Sequence, residues 1–479
     1  MTYDVIVVGA GPGGSSAATF LARAGASTLL LDKASFPREK VCGDGLTPQA
    51  IYWLDRLGCV DEVLAETDAC IKSGDLYMNG EFLLSGAFPD GTIYPDFCIL
   101  LDRRRFDDIL MRNAVAAGAQ FEGDHKVRGV VQEGSRMRIL ADCNGQRREY
   151  SGRIVIGADG VSSAISRGIG NVLKDGVMAV SLRTYYRNVE YQGSQLRVYF
   201  DRDFFPGYGW LFVDDSGFAN IGLGYAFDNN FPLAVGLRQS FQRFLEHDLR
   251  NELRNATRCG SVSGGAASFY KPNRIVADGV MLVGDAANQP DPLNGGGIHK
   301  AMEGAYFASE AALEALAAGD FSRASLRRYE DLWCRQCELD WRTGELFLSI
   351  AKNPNLKDLS LFMMRQIGSL SKTDEQFQSF CSGVFSGVIA QNTCLSPLAV
   401  FHAFPKNPAS WLSVLDNGNG LAAGSIKFAM QGLGGLAKAG SGLAGSPLRN
   451  LDWGFETATK ALRLAERQFS AALPGGQAQ

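Results

Sequence analysis

Residues 1–32 constrain the fold more than any other part of the chain. Tyr3–Val8 is an apolar run of strand length, and a turn with GxGxxG spacing follows it, containing Gly9, Gly11, Gly13 and Gly14. Small helix-forming residues come next, and a second apolar run, Thr28–Leu31, ends on Asp32. This order predicts a βαβ dinucleotide-binding unit. The glycines let the backbone approach a pyrophosphate at the helix N-terminus, and Asp32 accepts a hydrogen bond from a ribose hydroxyl.

A second strand–glycine segment lies about 250 residues later and predicts another approach to the same extended cofactor. The apolar run Val280–Val283 ends in Gly-Asp, and a glycine-rich turn then opens a helical pattern. The Asp285 carboxylate is suited to a ribityl hydroxyl, and backbone amides at the helix start are suited to a flavin ring. His299, in the first helical turn, lies either near the flavin or facing solvent, and we expect it to face solvent. The cofactor-binding residues predicted here are Gly284, Asp285, Pro292, Gly295, Gly296, Gly297 and Ile298.

Two further segments lie between the first and the second glycine turn, and together the four segments match a known group of proteins. Val155–Ser163 is a strand that closes on an Asp-Gly turn, and Leu101–Asp107 precedes an amphipathic helix. In this order and spacing, the four segments resemble the FAD-dependent oxidoreductases of the p-hydroxybenzoate hydroxylase type. The resemblance implies that FAD is the cofactor, that Arg103 contacts it, that Asp159 lies near its pyrophosphate and that Asp285 holds its ribityl chain.

Two further stretches resemble the geranylgeranyl reductase family, which includes menaquinone-side-chain reductases. Phe36–Pro48 is similar to a family signature and adds Cys42 and Gly43 to the expected cofactor-binding residues, which also include Lys33, next to Asp32. Tyr208–Phe212 and Asn220–Gly224 are similar to the YxWxFP and VGxG stretches that line the prenyl cavity, with Val213 where the family has proline. The WxWxIP segment of flavin-dependent halogenases is not found. The expected substrate-binding residues are Tyr208, Trp210, Phe212 and Gly222.

Cys42 is the residue singled out as catalytic. The resemblance places it on a loop near the flavin, where it affects catalysis or product release. The alternative is that Cys42 is a small buried hydrophobe, which is a common role of free cysteine.

Composition narrows the partners and the location. A net charge of −4 over 479 residues gives no reason to expect nucleic acid as a partner. The chain begins at the first core strand, so we expect no signal peptide and a cytoplasmic location. No apolar stretch of about twenty residues is present to span a membrane. Cys334 and Cys337 form a CxxC pair without a second ligand pair, so no metal site is predicted.

The predicted class is mixed α/β (α+β): a Rossmann-type FAD-binding domain, an antiparallel β-sheet substrate domain and a mainly helical C-terminal region. The FAD-binding domain is discontinuous, over residues 1–75, 98–170 and 272–335. The β-rich substrate domain takes residues 76–97 and 171–271, and the helical region takes residues 336–479. Residues 411–448 are rich in Gly and Ala and are interpreted either as a peripheral membrane contact or as a helical appendage or dimer contact.

Three functions fit the sequence. The first is an FAD-dependent reductase that adds hydride from flavin N5 to C=C bonds of a prenyl or other hydrophobic polyene chain. The second is an FAD-dependent monooxygenase of secondary metabolism, and the third is a flavoprotein with a non-redox cyclase or maturation role. For the first function, the expected substrate is a hydrophobic small molecule or a lipid. A second GxGxxG at Gly440–Gly445 lacks a preceding strand, so an external donor, NAD(P)H or reduced ferredoxin, is expected to dock transiently.

Overall fold

The structure is a computed structural model that describes residues 2–171, 178–228, 230–231, 236–269, 274–395, 439, 441, 443, 445 and 447–472. Its contacts divide the chain into two compact units. The first comprises Met1–Asp68, Ile99–Met178 and Ala266–Glu338, and the second comprises Ala69–Cys98, Ala179–Gly265 and Leu339–Gln479. Most of the Gly/Ala-rich stretch 411–448, including much of the second glycine motif, lies outside the described residues.

The described strands are numbered in chain order: β1 Thr2–Val8, β2 Thr28–Leu31, β3 Gly45–Leu46, β4 Ser73–Met78, β5 Glu81–Ala87, β6 Ile99–Leu100, β7 Gln120–Glu122, β8 His125–Glu133, β9 Arg136–Cys143, β10 Gln146–Gly157, β11 Met178–Arg187, β12 Leu196–Phe200, β13 Tyr208–Val213, β14 Ala219–Phe227, β15 Thr257–Arg258, β16 Ser263–Ser268, β17 Val276–Ala277 and β18 Val280–Leu282.

The described α-helices are α1 Pro12–Arg23, α2 Pro48–Arg56, α3 Val60–Leu64, α4 Arg103–Ala116, α5 Ala164–Gly168, α6 Leu237–Arg243, α7 Ile298–Ala318, α8 Arg323–Gln336, α9 Glu338–Ala351, α10 Lys357–Ser371, α11 Glu375–Ser386 and α12 Pro447–Ala472. Short 3-10 turns cover Gly284–Ala287 and Gln391–Leu395, and a π-helical turn covers Phe244–Asp248.

The first unit is built on a mainly parallel sheet with the strand order β17-β18-β10-β1-β2-β7, and β9 and β8 extend it from β10. β1 pairs in parallel with both β2 and β10, and β10 pairs in parallel with β18. Every residue of β2 is buried, as expected for a strand covered on both faces. Helices α1 and α7 pack together, and the ring centroids of Phe20 and Tyr306 are 5.3 Å apart. This is the predicted Rossmann-type arrangement, which the structure confirms.

The second unit contains a sheet with the order β15-β11-β14-β13-β12-β4-β5, and β16 pairs with β11. β12, β13 and β14 are antiparallel neighbours, as predicted, but β12 pairs in parallel with β4. That departure arises because β4 comes from a distant part of the chain, so no hairpin turn links it to β12. One face of β13 and β14 buries Leu211, Val213, Ile221 and Leu223 in a core with Phe244.

The C-terminal helix α12 is held to α9 and to the residue that follows α9, Lys352, by part-buried polar contacts. The Lys352 side chain has no exposed surface and pairs with Asp228 and, at 3.4 Å, with Glu456. Trp453 Nε1 donates to the carbonyl oxygen of Ser349 at 2.8 Å. Among the described residues, no helix combines the length and the apolar character needed to cross a membrane.

Candidate flavin and substrate sites

Two glycines of the first glycine turn, Gly9 and Gly14, leave no room for a side chain. Gly9 has φ +100°, and a Cβ there would lie 2.4 Å from the Ala158 carbonyl oxygen. A Cβ on Gly14 would lie 1.7 Å from the carbonyl oxygen of Gly9. Gly11 is the N-cap of α1 and supplies no side-chain cap, so the first amides of this 12-residue helix can face an anion. Gly13 instead packs against Ala301 of α7.

Asp32 ends β2 with its carboxylate against the glycine turn. Its Oδ2 accepts the Ala10 N–H at 2.7 Å, and its Oδ1 accepts the Ala34 N–H at 2.9 Å. The side chain is 6% exposed, whereas the neighbouring Lys33 is exposed. The carboxylate is therefore fixed at the carboxyl end of β2, the edge at which open α/β sheets bind nucleotides.

Asp159 follows β10 at the same edge of the sheet, and its carboxylate accepts hydrogen bonds from neighbouring residues of the protein. It accepts hydrogen bonds from Ser163 Oγ at 2.5 Å and from the Ala164 N–H at 2.6 Å. Burial raises the pKa of Asp159, although these hydrogen bonds favour the carboxylate. The Asp-Gly turn thus anchors the start of α5, and its backbone contacts Gly9.

Two buried side chains, Gln289 and Tyr329, hold the Gly284–Asp285 turn that follows β18. Gln289 Oε1 accepts the Gly284 N–H at 2.7 Å, and Gln289 Nε2 donates to the Tyr329 hydroxyl at 2.7 Å. Tyr329 in turn donates to the Leu282 carbonyl oxygen at 2.6 Å, and burial raises its pKa. Asp285 is only half-buried, and Oδ1 lies 3.8 Å from the Cβ position of Gly297. The structure therefore brings Asp285 and the second glycine turn together.

The second glycine turn ends at an uncapped helix start, as the first does. Gly297 is the N-cap of the 21-residue α7 and makes no side-chain cap, so backbone amides are available there. A Cβ on Gly296 would lie 2.8 Å from Asn294 Oδ1. Pro292 is buried, Gly295 has φ +73°, and Ile298 begins the helix.

The expectation that His299 faces solvent is wrong. The side chain is 3% exposed, and Nδ1 lies 3.3 Å from Thr47 Oγ1. Burial, with Lys300 nearby, lowers the pKa of His299 to about 3, so the imidazole is neutral. The first turn of α7 is buried because residues 47–50 at the start of α2 also belong to this unit, which local periodicity does not reveal.

Cys42 lies on a partly exposed loop beside Arg103. The loop leads into β3, which pairs with β6, and that pairing brings residues 42 and 103 close together. Arg103 hydrogen-bonds the Cys42 side chain and forms a bidentate ion pair with Asp107, at 2.7 and 2.8 Å. Burial alone would lower the pKa of Arg103, but Asp107 and Cys42 outweigh it and raise the value. Gly43, next to Cys42, is half-buried.

The four expected substrate residues lie together on one face of the second sheet. Tyr208, Trp210 and Phe212 alternate along β13, with ring centroids 6.1 and 6.5 Å apart. Gly222 is the register partner of Trp210, and a Cβ on Gly222 would lie 2.0 Å from Trp210 Cζ2. Trp210 Nε1 donates to Asn220 Oδ1 at 2.9 Å, which fixes the indole across the glycine. Trp210 is 7% exposed, whereas Tyr208 and Phe212 are half-buried; Phe204 and Phe205 are buried in hydrophobic cores.

The residues of the first unit fit an extended FAD. Two helix starts without side-chain caps and three turns built on Gly or Asp meet at the carboxyl ends of β1, β10 and β18. The backbone is close-packed there, because Cβ atoms on Gly9 and Gly14 would clash with it. Residues 2–195 also match the FAD binding domain family. Digeranylgeranylglycerophospholipid reductase 2 of Methanopyrus kandleri is 35% identical over 343 residues, which cover 70% of this chain and 82% of that relative. The chain belongs to the geranylgeranyl reductase family. It is an FAD-dependent oxidoreductase.

Another reductase is similar at the sequence level, and two solved structures share the fold. The menaquinone reductase of Mycobacterium tuberculosis is 34% identical over 64% of this chain and 76% of its own length. A geranylgeranyl bacteriochlorophyll reductase-like protein from Thermoplasma acidophilum superposes with a TM-score of 0.65 at 24% identity, covering 87% of this chain and 99% of that one. A flavin-dependent brominase gives 0.63 at 21% identity, over 76% and 94%. These two likenesses show the fold alone.

Sequence reasoning did not find several residues that support the site. Asp107 carried a usable signal, because it follows Arg103 by four residues in a helical pattern, the spacing of a helix ion pair. Gln289 and Tyr329 carried none, because their hydrogen bond joins segments 40 residues apart.

Proposed function

We propose that this oxidoreductase reduces C=C bonds in the polyprenyl chain of a lipid. The observation that carries the proposal is the similarity to two groups of reductases, one named for a digeranylgeranylglycerophospholipid and one for menaquinone. Those two molecules differ in their head groups, and both carry a polyprenyl chain. The shared chain is therefore the part of the substrate that we assign to this protein.

The aromatic face of β13 supports an apolar chain as the ligand. Tyr208, Trp210 and Phe212 present adjacent rings, and Gly222 leaves the indole flat against the sheet. A flat aromatic surface suits a polyene because the contacts are dispersive and do not depend on a head group. These residues hold and orient the chain and keep water from it.

When bound, reduced FAD would supply a hydride from its N5 atom to one carbon of the double bond, and the other carbon would take a proton. An isolated alkene accepts hydride poorly, so close placement of the double bond has to supply much of the rate. We assign Cys42 a catalytic role beside the cofactor, supported by its partial exposure and its hydrogen bond from Arg103.

Product mass under anaerobic conditions tests the reaction. The protein is reduced with dithionite and incubated with a digeranylgeranyl glycerophospholipid, whose head group dithionite does not reduce. We expect products heavier by two hydrogen atoms for each bond reduced. A product that gains an oxygen atom and forms only when O2 is admitted would instead establish the monooxygenase alternative, and an isomer of unchanged mass would establish a non-redox role.

The electron donor is assigned as external, NAD(P)H or reduced ferredoxin. Anaerobic stopped-flow measurement of flavin bleaching with NADH, NADPH and reduced ferredoxin identifies it. One donor is expected to bleach the flavin within the turnover time. If all three react more slowly than turnover with dithionite, the donor belongs to another class.

We also propose that the C-terminal region contacts a lipid surface peripherally. The apolar stripe of α12, defined here as Leu451, Phe455 and Leu462, is 55%, 74% and 65% exposed, on the side opposite to Trp453 and Lys460. Its spacing places the three side chains on one helix face. Phe455→Ser is expected to weaken co-sedimentation with phosphatidylglycerol vesicles, while Val131→Ser, at an exposed site in the first unit, is expected to leave it unchanged. Equal sedimentation of both variants would refute this contact.

A further inference from the structure

Arg38 lies over the first glycine turn. Its Nη2 atom is 3.6 Å from the position that a Cβ on Gly11 would take, and Gly11 is the uncapped start of α1. The guanidinium also lies over the Phe36 ring, 4.8 Å from its centroid, and the side chain is 15% exposed. Phe36 packs edge-on against Phe121, which holds this platform in place. A positive group is thus positioned in advance at the turn that approaches the cofactor.

The two acids beside Arg38 are already satisfied by other donors. Both oxygens of Asp32 accept backbone N–H groups, and both oxygens of Asp107 accept from Arg103 at 2.7 and 2.8 Å. The contacts of Arg38 are longer: Nη1 is 3.2 Å from Asp107 Oδ2, and Nε is 3.7 Å from Asp32 Oδ1. A guanidinium has five N–H donors in a planar fork, so Arg38 retains donors on its Nη2 side.

We propose that Arg38 binds the pyrophosphate of FAD, with Asp32 and Asp107 aiming the guanidinium at the turn. Helix amides offer only partial charge to a pyrophosphate, and Arg38 adds a full charge in the geometry that matches phosphate oxygens. This role concerns cofactor binding alone and does not depend on the substrate proposed above. The competing interpretation is that Arg38 only balances the buried charge of Asp107.

Ligand binding to the flavin-free protein distinguishes the two roles without any turnover assay. FAD is titrated by quenching of its fluorescence, and ADP and adenosine are titrated by calorimetry. Arg38→Gln is expected to raise the Kd for FAD and for ADP by about tenfold or more, because it removes a charge-assisted hydrogen bond, and to leave the Kd for adenosine unchanged. The salt dependence of ADP binding is expected to become shallower. Arg104→Gln, at an exposed site on α4, is the matched control and is expected to behave as wild type.

Equal weakening of ADP and adenosine, or an unchanged Kd for FAD, would overturn the assignment in favour of the structural role. If Arg38→Gln does not fold, the unmodified chain still decides the question. Phenylglyoxal labelling of Arg38, located by peptide mass spectrometry, is expected to be blocked by ADP and not by adenosine. Labelling that ADP leaves unchanged would overturn the assignment equally.

Discussion

Arg103 and Asp107, one turn apart on α4, form a buried bidentate ion pair in which each carboxylate oxygen accepts one guanidinium N–H. The Asp107 side chain is fully buried, and that of Arg103 is 7% exposed. Arg103 also reaches Cys42, and Arg38 extends the charge network to Asp32. The pair thus links Cys42, for which we propose a catalytic role, to Asp32, which we expect to bind the adenosine ribose.

Removing one partner of this pair is expected to destabilise the protein strongly. Asp107→Asn leaves the buried Arg103 charge uncompensated, and such losses cost about 3–5 kcal/mol. The free energy of unfolding from urea titration of the FAD-free protein measures the change. Asp108→Asn is the control, because Asp108 pairs with the half-exposed Arg112 and is expected to cost at most about 1 kcal/mol. Similar losses in the free energy of unfolding for the two variants would show that the buried pair stabilises the protein no more than the exposed pair does.

Cys42→Ala is expected to slow turnover while preserving the flavin. A loss of roughly tenfold, or about 1.4 kcal/mol of transition-state stabilisation, is predicted under anaerobic steady-state conditions. The absorbance ratio of flavin to protein is expected to stay at the wild-type value. Cys70→Ala, at an exposed cysteine in the second unit, is the control and is expected to have no effect. Full turnover in Cys42→Ala would leave Cys42 as a packing residue.

Gly222→Ala is expected to impair substrate binding. The added methyl group would lie 2.0 Å from the Trp210 ring, so the indole must move, and overpacking of this kind costs about 1–3 kcal/mol. The KM for the prenyl substrate is predicted to rise while FAD affinity is unchanged. Gly264→Ala serves as the control, since its nearest neighbours would be 3.8 Å away. Wild-type kinetics in Gly222→Ala would remove the β13 face from the proposed site.

Stability is expected to depend on pH through His299. The folded-state pKa of about 3 lies below the ordinary histidine value of 6.5, so between these values the unfolded chain binds a proton that the folded protein does not. The free energy of unfolding therefore falls as the pH drops below 6.5, by up to about 1.4 kcal/mol per pH unit. Urea titrations at several pH values between 4.5 and 7 measure the slope.

His299→Gln is expected to flatten that slope, because it removes the titrating group. The same substitution at the exposed His247 is the control and should keep the wild-type slope. An unchanged slope in His299→Gln would mean that other groups account for the acid sensitivity.

The glycine turns and strand-end acids of the candidate flavin site could be located from the sequence because their signals are local. The positive φ of Gly9 and the close approach of Gly14 to the Gly9 carbonyl oxygen belong to one short turn, and Asp32 and Asp285 each follow a short apolar strand. The same holds for the alternation of Tyr208, Trp210 and Phe212 along one strand. Local backbone geometry and side-chain periodicity are properties of contiguous residues, so the sequence alone determined the FAD-binding class and the β-rich partner unit.

Tertiary structure alone decided the contacts between residues far apart in the chain. The burial of His299 against Thr47, the parallel pairing of β4 with β12, and the support of Gly284 by Gln289 and Tyr329 have no local signature. The charges around Arg38 and Arg103 likewise come from three segments whose meeting depends on the order of strands in the sheet. A pattern along the chain specifies which face a residue occupies, but the free energy of packing distant elements selects what that face meets.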